Sequence, residues 1–344
     1  SMPAKRHRVP VRAKRVKGTS PLAYVTFLML NDNYLPGALT LAHALRKQRT
    51  RADLVCLVTP EISSDARYAL GLLYDGVIDV DPIFVPHERR QERQDRPYFF
   101  TRLNALRLGR DGDLGTAYAK IVLLDADVLP LCNYRSLFAL DTPAGIINED
   151  KSHFVDVGPD GQYVVPPNVE QTGAWKWHRI YGDICPHGTK IPAQITDRVL
   201  HDGDNMGING SLFVLEPSMD EFERIQADIR RPSVRRMVSD LWDWPDMQYL
   251  TARWSGQWTS IDVRYSGLNG YPSLSVLYGT HFAGLKPWHV YKKSIDCFAR
   301  YDDYQRWYRE YIELVTEARP ALRQVERLVW LLGEVERLVE PVGG

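Results

Sequence analysis

The sequence predicts an α/β protein with a mostly parallel central sheet, a long insertion and C-terminal helices. Three observations carry that expectation. Short apolar runs recur at residues 22–30, 54–60 and 121–124, each too brief for a buried helix and each ending in turn or polar residues. Segments with helical spacing alternate with them, which implies right-handed crossovers between parallel strands. The first and third runs lead directly into polar clusters, NDNY and DAD, so both clusters should open onto the same carboxyl edge of the sheet, where ligands bind in such folds.

The elements follow in order. LAYVTFLML is a buried strand, NDNYLPG a loop, and ALTLAHALRKQ an amphipathic helix with Leu41 and Leu45 on its inner side. LVCLVTP is the second strand, and SSDARYALGLLY the second helix, with Ser63 or Ser64 as its N-cap. GVIDVDPIFVP supplies another short strand. Residues 149–204 are rich in Pro, Gly, His and Trp with little periodicity, and loops of such length are usually functional or mobile. Order returns with NMGINGSLFVLEP, a glycine-rich approach to the strand SLFVL. Past Arg300, two helices broken at Pro320 are expected. On the second, Leu322, Val325, Leu328, Val329, Leu332 and Val335 form one stripe, which packs on the body or on a second copy of the chain as a homodimer.

Composition narrows the function classes. The 344 residues are 44% hydrophobic and 25% charged, ordinary for a globular protein. With 43 basic against 43 acidic residues there is no global field to recruit nucleic acid or a membrane. Seven Lys or Arg residues lie between Lys5 and Lys17 without an acid, so residues 1–19 read as a solvated basic tail, the one segment suited to a polyanion. No apolar run approaches membrane-spanning length. Cys56, Cys132, Cys185 and Cys297 are far apart and form no C-x-x-C pair, so a reducing, cytoplasmic setting is the expectation.

The chemistry begins at IVLLDADVLPL. Side chains alternate along a strand, so Asp125 and Asp127 share a side. Two carboxylates that close repel unless a proton or a cation lies between them. Both could equally lie in a solvated loop. HFAGLKPWHVY places an imidazole, a glycine and an ammonium within six residues, groups that suit a metal and phosphate oxygens. DWPDMQYL brings Asp243 and Asp246 to a helix start, where capping is the plain alternative.

Taken in order, NDNYLPGAL, LLDADVLPL, NGSLFVLEPS, the D-x-x-D and HFAGLKPW resemble the motifs of glycosyltransferase family 8, its glycogenin-like members in particular. The resemblance spans residues 22–288. It implies a GT-A fold over residues 20–300, with 149–204 as an acceptor-shaping insertion and 301–344 as a helical extension. It also implies a retaining hexosyltransferase that moves a sugar, glucose or galactose foremost, from a UDP-sugar donor to a hydroxyl acceptor on a glycan or protein. The same resemblance gives the site. Asp125, Asp127 and His281 would hold Mn²⁺ or Mg²⁺, a donor set of carboxylates and one imidazole that suits such ions. Leu28, Leu30, Asn31 and Tyr34 match the uridine-binding segment, with Tyr34 as the stacking ring. Arg102 stands where relatives carry a Lys near the donor. Ala126 would lie near the ribose, Asn209 and Gly210 beneath the sugar, and Gly284 and Lys286 at the diphosphate. Asp246, and beside it Asp243, would be the catalytic acids nearest the anomeric carbon.

The chain also departs from that pattern. Relatives carry Gln directly after the catalytic Asp, whereas Met247 precedes Gln248 here. A further acid near the sugar would be replaced by Asn148 or supplied by Asp150. No tyrosine clearly matches the self-glucosylated one, Tyr271 being the nearest, and Trp175, Trp177 and Tyr181 in the insertion suit an acceptor sugar. Other readings are a nucleotidyltransferase, a glycoside hydrolase, and a sugar-nucleotide-binding protein without transfer. NDNYLPG lacks the glycine- and Lys/Arg-rich loop of the first, and Lys286 has no purpose in the second.

Overall fold

A computed structural model of the chain describes residues 20–148, 156–157, 163–164, 185–268 and 274–342. Strands β1 (Leu22–Leu28), β2 (Asp53–Val58), β3 (Gly76–Asp79) and β4 (Lys120–Leu124) run parallel in the order β4-β1-β2-β3. A short β5 (Val128–Pro130) leaves that sheet, β6 (Ala144–Ile147) returns to it, and β7 (Asp156–Val157) pairs β8 (Tyr163–Val164). The large sheet is completed by β9 (Ile208–Leu215) and β10 (Thr259–Ser260), in the order β10-β6-β9-β4-β1-β2-β3. The architecture is thus α/β with a mostly parallel sheet, as the apolar runs imply.

Two details go beyond the pattern. β9 begins three residues before the apolar SLFVL, at Ile208, and runs antiparallel to both β4 and β6. All eight of its residues are buried, so the sequence shows its burial but not its direction. Helix α1 (Leu35–Lys47) starts at Leu35 and is buried on every side from Leu35 to Leu45, not only along its inner stripe. The cause is the C-terminal extension: the helix Asp302–Glu313 lies across α1 and covers its outer face.

Helix α2 (Ser64–Gly71) is capped by Ser63, whose hydroxyl accepts the Ala66 N–H at 3.1 Å. The C-terminal helix Glu326–Leu338 follows the break at Pro320. Its apolar stripe is spent within the chain. Leu322, Val325, Leu328, Leu332 and Val335 are buried, and of the six only Val329 is exposed, at 42%. No apolar face of that stripe is left over for a second copy. Among the described residues no helix is long and apolar enough to cross a membrane.

Two features aim the site. Ile121 to Leu124 are fully buried, each such side chain stabilising the fold by roughly 1.5–3 kcal/mol, which offsets the cost of burying charges at the strand's end. The small sheet of β11 (Gly267–Leu268), β12 (Gly279–His281) and β5 sets His281 opposite Val128, one residue past Asp127. That antiparallel register brings the two together across more than 150 residues of chain.

Candidate active site

The ends of β1 and β4, the approach to β9, the helix start at Pro245 and the turn after β12 enclose a cavity of about 450 Å³. Leu28, Leu30, Asn31, Tyr34, Arg102, Asp125, Ala126, Asp127, Asn209, Gly210, Asp246, His281 and Lys286 all line it. Six sequence segments therefore meet in one place. Two expected residues do not line it. Gly284 is exposed on the turn between Ala283 and Lys286, which do. Asp243 points elsewhere, its carboxylate held by Arg89 at 2.6 Å and Arg90 at 3.1 Å, so it braces the loop before the helix rather than reaching the cavity. Asn148 is buried behind Gly207, whose carbonyl accepts its N–H at 2.7 Å. Asp150, Trp175, Trp177, Tyr181 and Tyr271 lie outside the described residues.

The loop after β1 is held in an uncommon shape. Leu30 has φ +70°, left-handed backbone that a branched aliphatic residue adopts only when its surroundings impose it. Thr59 Oγ1 accepts its N–H at 2.9 Å. Asp32 faces away from the cavity and accepts the Ser63 N–H at 3.0 Å, which ties the loop to α2. Gly37 lies where a Cβ would collide with the Ala126 carbonyl and the Trp288 ring, so the missing side chain lets α1 approach the D-A-D turn. Tyr34 then stands edge-on to Trp288 with its ring centroid 5.7 Å from Lys286 Nζ.

The charges form two linked sets. Lys286 Nζ lies 2.6 Å from Asp127 Oδ2 and donates also to the Phe282 carbonyl. Arg102 spans two acids, 2.9 Å from Asp125 Oδ1 and 2.7 Å from Asp246 Oδ2, while donating to the Gly210 carbonyl. The planar guanidinium reaches the two acids from separate nitrogens, Nη1 and Nε, in a fixed geometry that a single ammonium nitrogen does not offer. Burial acts to raise the Asp127 carboxyl, but Lys286 and His281 outweigh it and hold it well below the usual carboxylate range. Burial, with Asp127 adding to it, pushes the Asp125 carboxyl up to about 6 although Arg102 opposes. Burial likewise raises Asp246. The paired acids thus respond oppositely to one environment, as expected of carboxylates that share one counter-charge too few.

The residues present fit a divalent cation. One ligand atom from each of Asp125, Asp127 and His281 lies within 4.8 Å of the others. Asp127 Oδ1 is buried and has no hydrogen bond, although His281 Nε2 is 3.3 Å away, and His281 Nδ1 is buried without one too. Orphaned acceptors of that kind are costly unless something binds them. The whole lining carries Arg93, Arg102 and Lys286 against Asp95, Asp125, Asp127 and Asp246, so an anionic ligand needs an added positive charge.

Several lining residues were not foreseen. Trp244 lies inside the quoted DWPDMQYL and could have been read as an aromatic wall. Arg93, Gln94 and Asp95 sit in a charge-rich stretch with no distinguishing pattern. Met247, at the position where the resemblance implies Gln, occupies the cavity wall, and Gln248 is turned inward, its amide donating to the Gly203 and Asn205 carbonyls at 2.9 and 2.6 Å.

Comparison with known proteins first defines the class by fold. The galactosyltransferase LgtC, solved with donor and acceptor sugar analogs, superposes with a TM-score of 0.52 over 87% of this chain and 99% of LgtC at 14% identity, a likeness of fold alone. The glycosyltransferase GlyE of Streptococcus pneumoniae TIGR4 superposes with a TM-score of 0.50 at 12% identity, over 94% of this chain and 66% of GlyE. The fold is that of a GT-A glycosyltransferase. Sequence relatives then give the family. Uncharacterized protein R707 of Acanthamoeba polyphaga mimivirus is 30% identical over 281 residues, 78% of this chain and 83% of that protein. Glycogenin-1 of Caenorhabditis elegans is 38% identical over 157 residues, 43% of this chain and 33% of that protein. Galactinol synthase 1 of Ajuga reptans is 26% identical over 231 residues, 64% of this chain and 61% of that protein. No protein-family model matches the chain. The relatives and the shared fold together support a glycogenin-like glycosyltransferase. The matches take in only a third of the worm glycogenin and three-fifths of the galactinol synthase.

Proposed function

We infer that the chain is a metal-dependent, retaining hexosyltransferase that moves glucose or galactose from a UDP-sugar to a hydroxyl on a glycan or protein. One observation supports this above the others: an acid pair and a histidine with orphaned ligand atoms share a cavity with a buried ammonium and an aromatic ring. A nucleoside diphosphate sugar asks for that combination, base on ring, phosphates on cations, sugar over the remaining acid.

In this reading Tyr34 stacks on uracil, and Leu28, Leu30 and Asn31 frame the base. Asp125, Asp127 and His281 would hold Mn²⁺ or Mg²⁺, which as a Lewis acid stabilises charge on the departing diphosphate. Lys286 transfers its interaction from Asp127 to a phosphate oxygen, with the Gly284 turn beside it, and it sits where negative charge grows as the glycosidic bond breaks. Ala126 packs by the ribose. Asn209 and Gly210 floor the sugar. Arg102 orients Asp246 and opposes, without overcoming, the burial that raises its carboxyl. Asp246 faces the anomeric carbon, where a carboxylate stabilises positive charge on the sugar; Asp243 acts at one remove by holding the loop. A cytoplasmic location belongs to the same proposal.

A screen of UDP-sugars with Mn²⁺, reading released UDP and then the mass of acceptor or protein, tests the reading. Turnover of one hexose donor, lost on chelation and restored by Mn²⁺, is expected. Equal turnover in the presence of chelator would end the metal-dependent reading.

A further inference from the structure

We propose that the C-terminal extension is a working part of the donor site: Tyr304 and Trp307, on the helix Asp302–Glu313, are positioning residues that set Lys286 and Tyr34 from behind the cavity wall. The inference rests on the donor reading above and goes beyond it, since neither residue lines the cavity and both lie past the last of the motifs.

Lys286 ends the short turn that begins at Phe282. Its ammonium has two contacts, Asp127 Oδ2 at 2.6 Å and the Phe282 carbonyl. The first is the one that a bound phosphate takes over, so in the loaded site the lysine depends on its own turn. A charge on a flexible four-carbon stem is placed only as well as the backbone that carries it. Tyr304 anchors that backbone. Its hydroxyl donates to the Leu285 carbonyl, which accepts from no other donor among the described residues, and its ring meets Phe282 edge-on with centroids 5.1 Å apart. One fully buried side chain thus holds both the residue that opens the turn and the residue before Lys286.

Trp307 lies three residues further along the helix, on the same side as Tyr304. Its ring centroid is 5.4 Å from that of Trp288, and Trp288 stands edge-on to Tyr34 at 5.6 Å. The six-membered ring of Trp288 already presses on the bare Cα of Gly37, so this indole is wedged between the extension and the start of α1. Tyr34 therefore has a fixed wall behind it, and a ring fixed in advance loses less freedom when it takes up a base.

The same helix contains a control. Tyr311, two turns beyond Tyr304 and as fully buried, donates its hydroxyl to the Leu328 carbonyl at 2.8 Å, a bond that ties the extension to itself. The two phenols make the same kind of bond to a buried carbonyl, and only that of Tyr304 ends at the site.

Titration calorimetry on the full chain with Mn²⁺ tests the idea, with UDP, inorganic pyrophosphate and uridine as probes and thermal melts run beside it. Tyr304→Phe should weaken UDP and pyrophosphate about 2- to 10-fold, the range of one neutral hydrogen bond, and leave uridine unchanged. Trp307→Leu should show the opposite split, weakening UDP and uridine about 2- to 10-fold, the range of one aromatic pair, and sparing pyrophosphate. Tyr311→Phe should lower the melting temperature as much as Tyr304→Phe does and change no affinity. The proposal is overturned if Tyr304→Phe binds pyrophosphate as the parent does, or if Tyr311→Phe loses as much affinity, which would make the extension a matter of stability alone. If Trp307→Leu does not fold, Trp307→Phe carries that arm, with a smaller loss in the same direction. A parent chain that binds pyrophosphate but neither UDP nor uridine ends the donor reading, and the Tyr304 arm is then decided on pyrophosphate. A parent that binds UDP while both variants match it ends the proposal and leaves the donor reading standing; a parent that binds none of the three probes ends both.

Discussion

Among the described residues, two places bring together two acids and a histidine at metal-ligand spacing, and they have opposite fates. Ligand atoms of His43, Glu310 and Glu313 lie within 4.8 Å of one another, as do those of Asp125, Asp127 and His281. Beneath the C-terminal extension, Lys47 Nζ fills the space, 2.9 Å from Glu310 and 3.2 Å from Glu313, and Arg306 adds a contact to Glu310 at 3.0 Å. At the sheet edge Lys286 reaches one oxygen of Asp127, and the other oxygen and a histidine nitrogen stay orphaned in a cavity. The donor sets are alike. What separates a structural cluster from a binding one is whether the chain's own cations satisfy it. The first cluster ties the extension to α1; the second keeps an unmet demand for positive charge.

The largest expected effect breaks that contrast at its functional end. Asp127→Asn should weaken Mn²⁺-dependent UDP binding by about 100-fold or more, since even outer partners of metal ligands change affinity 10- to 100-fold. Glu310→Gln, the matching change in the other cluster, should leave both ligands' affinities unchanged and lower stability by about 2 kcal/mol, because the buried Glu310 carboxylate loses its charge-assisted hydrogen bonds to the partly exposed Lys47. Calorimetry and thermal melts of the two variants read this out. An equal loss of metal binding in Glu310→Gln would erase the distinction.

A smaller effect sharpens it. Lys286 competes with any cation for Asp127, so Lys286→Met should bind Mn²⁺ alone about 10-fold more tightly, in keeping with the strength of a close opposite charge, while binding UDP less tightly. Mn²⁺ titrations followed by electron paramagnetic resonance, without nucleotide, check the first half. An unchanged Mn²⁺ affinity would show that Lys286 does not occupy the demand at all.

The ease of reading these clusters from sequence differed for physical reasons. Asp125 and Asp127 were legible because a fully buried strand runs into them, and a buried run must end at an edge. His281 could be brought to them only through a resemblance, since the pairing of β12 with β5 is an antiparallel contact between three-residue strands that no periodicity reveals. Asp243 shares its segment with Asp246 yet faces the arginines, because a helix N-terminus turns the chain between the two positions. Arg93 was illegible: HERRQERQDR reads as a solvated charge run, and only the fold separates the arginine that lines the cavity from its three neighbours. The closed cluster was hidden as well. His43 lies in a helix whose outer face looks exposed until residues 302–313 are laid across it.

The smallest expected effect concerns that covered face and acid pH. His43 is held below its ordinary value, first by burial, which outweighs Glu310 and Glu313; Lys47 pushes the same way as burial. Burial acts to raise Glu310, but Lys47 and Arg306 hold it below its usual range. Both folded values are thus lower than the unfolded ones, so the unfolded chain takes up protons first as pH falls. Stability from His43 is fully present above about pH 6.5 and is lost below it; that from Glu310 is present above about pH 4.3 and is lost at lower pH. Replacement of His43 by Gln removes the first group and keeps the second, so it should flatten the decline in melting temperature between pH 7 and pH 5, a change of the order of 1–2 °C for a chain of this size, and leave the steeper fall below pH 4.5 intact. A variant whose melting temperature still drops from pH 7 to pH 5 as the parent's does would place the titrating group elsewhere, and the covered cluster would then contribute nothing to acid sensitivity.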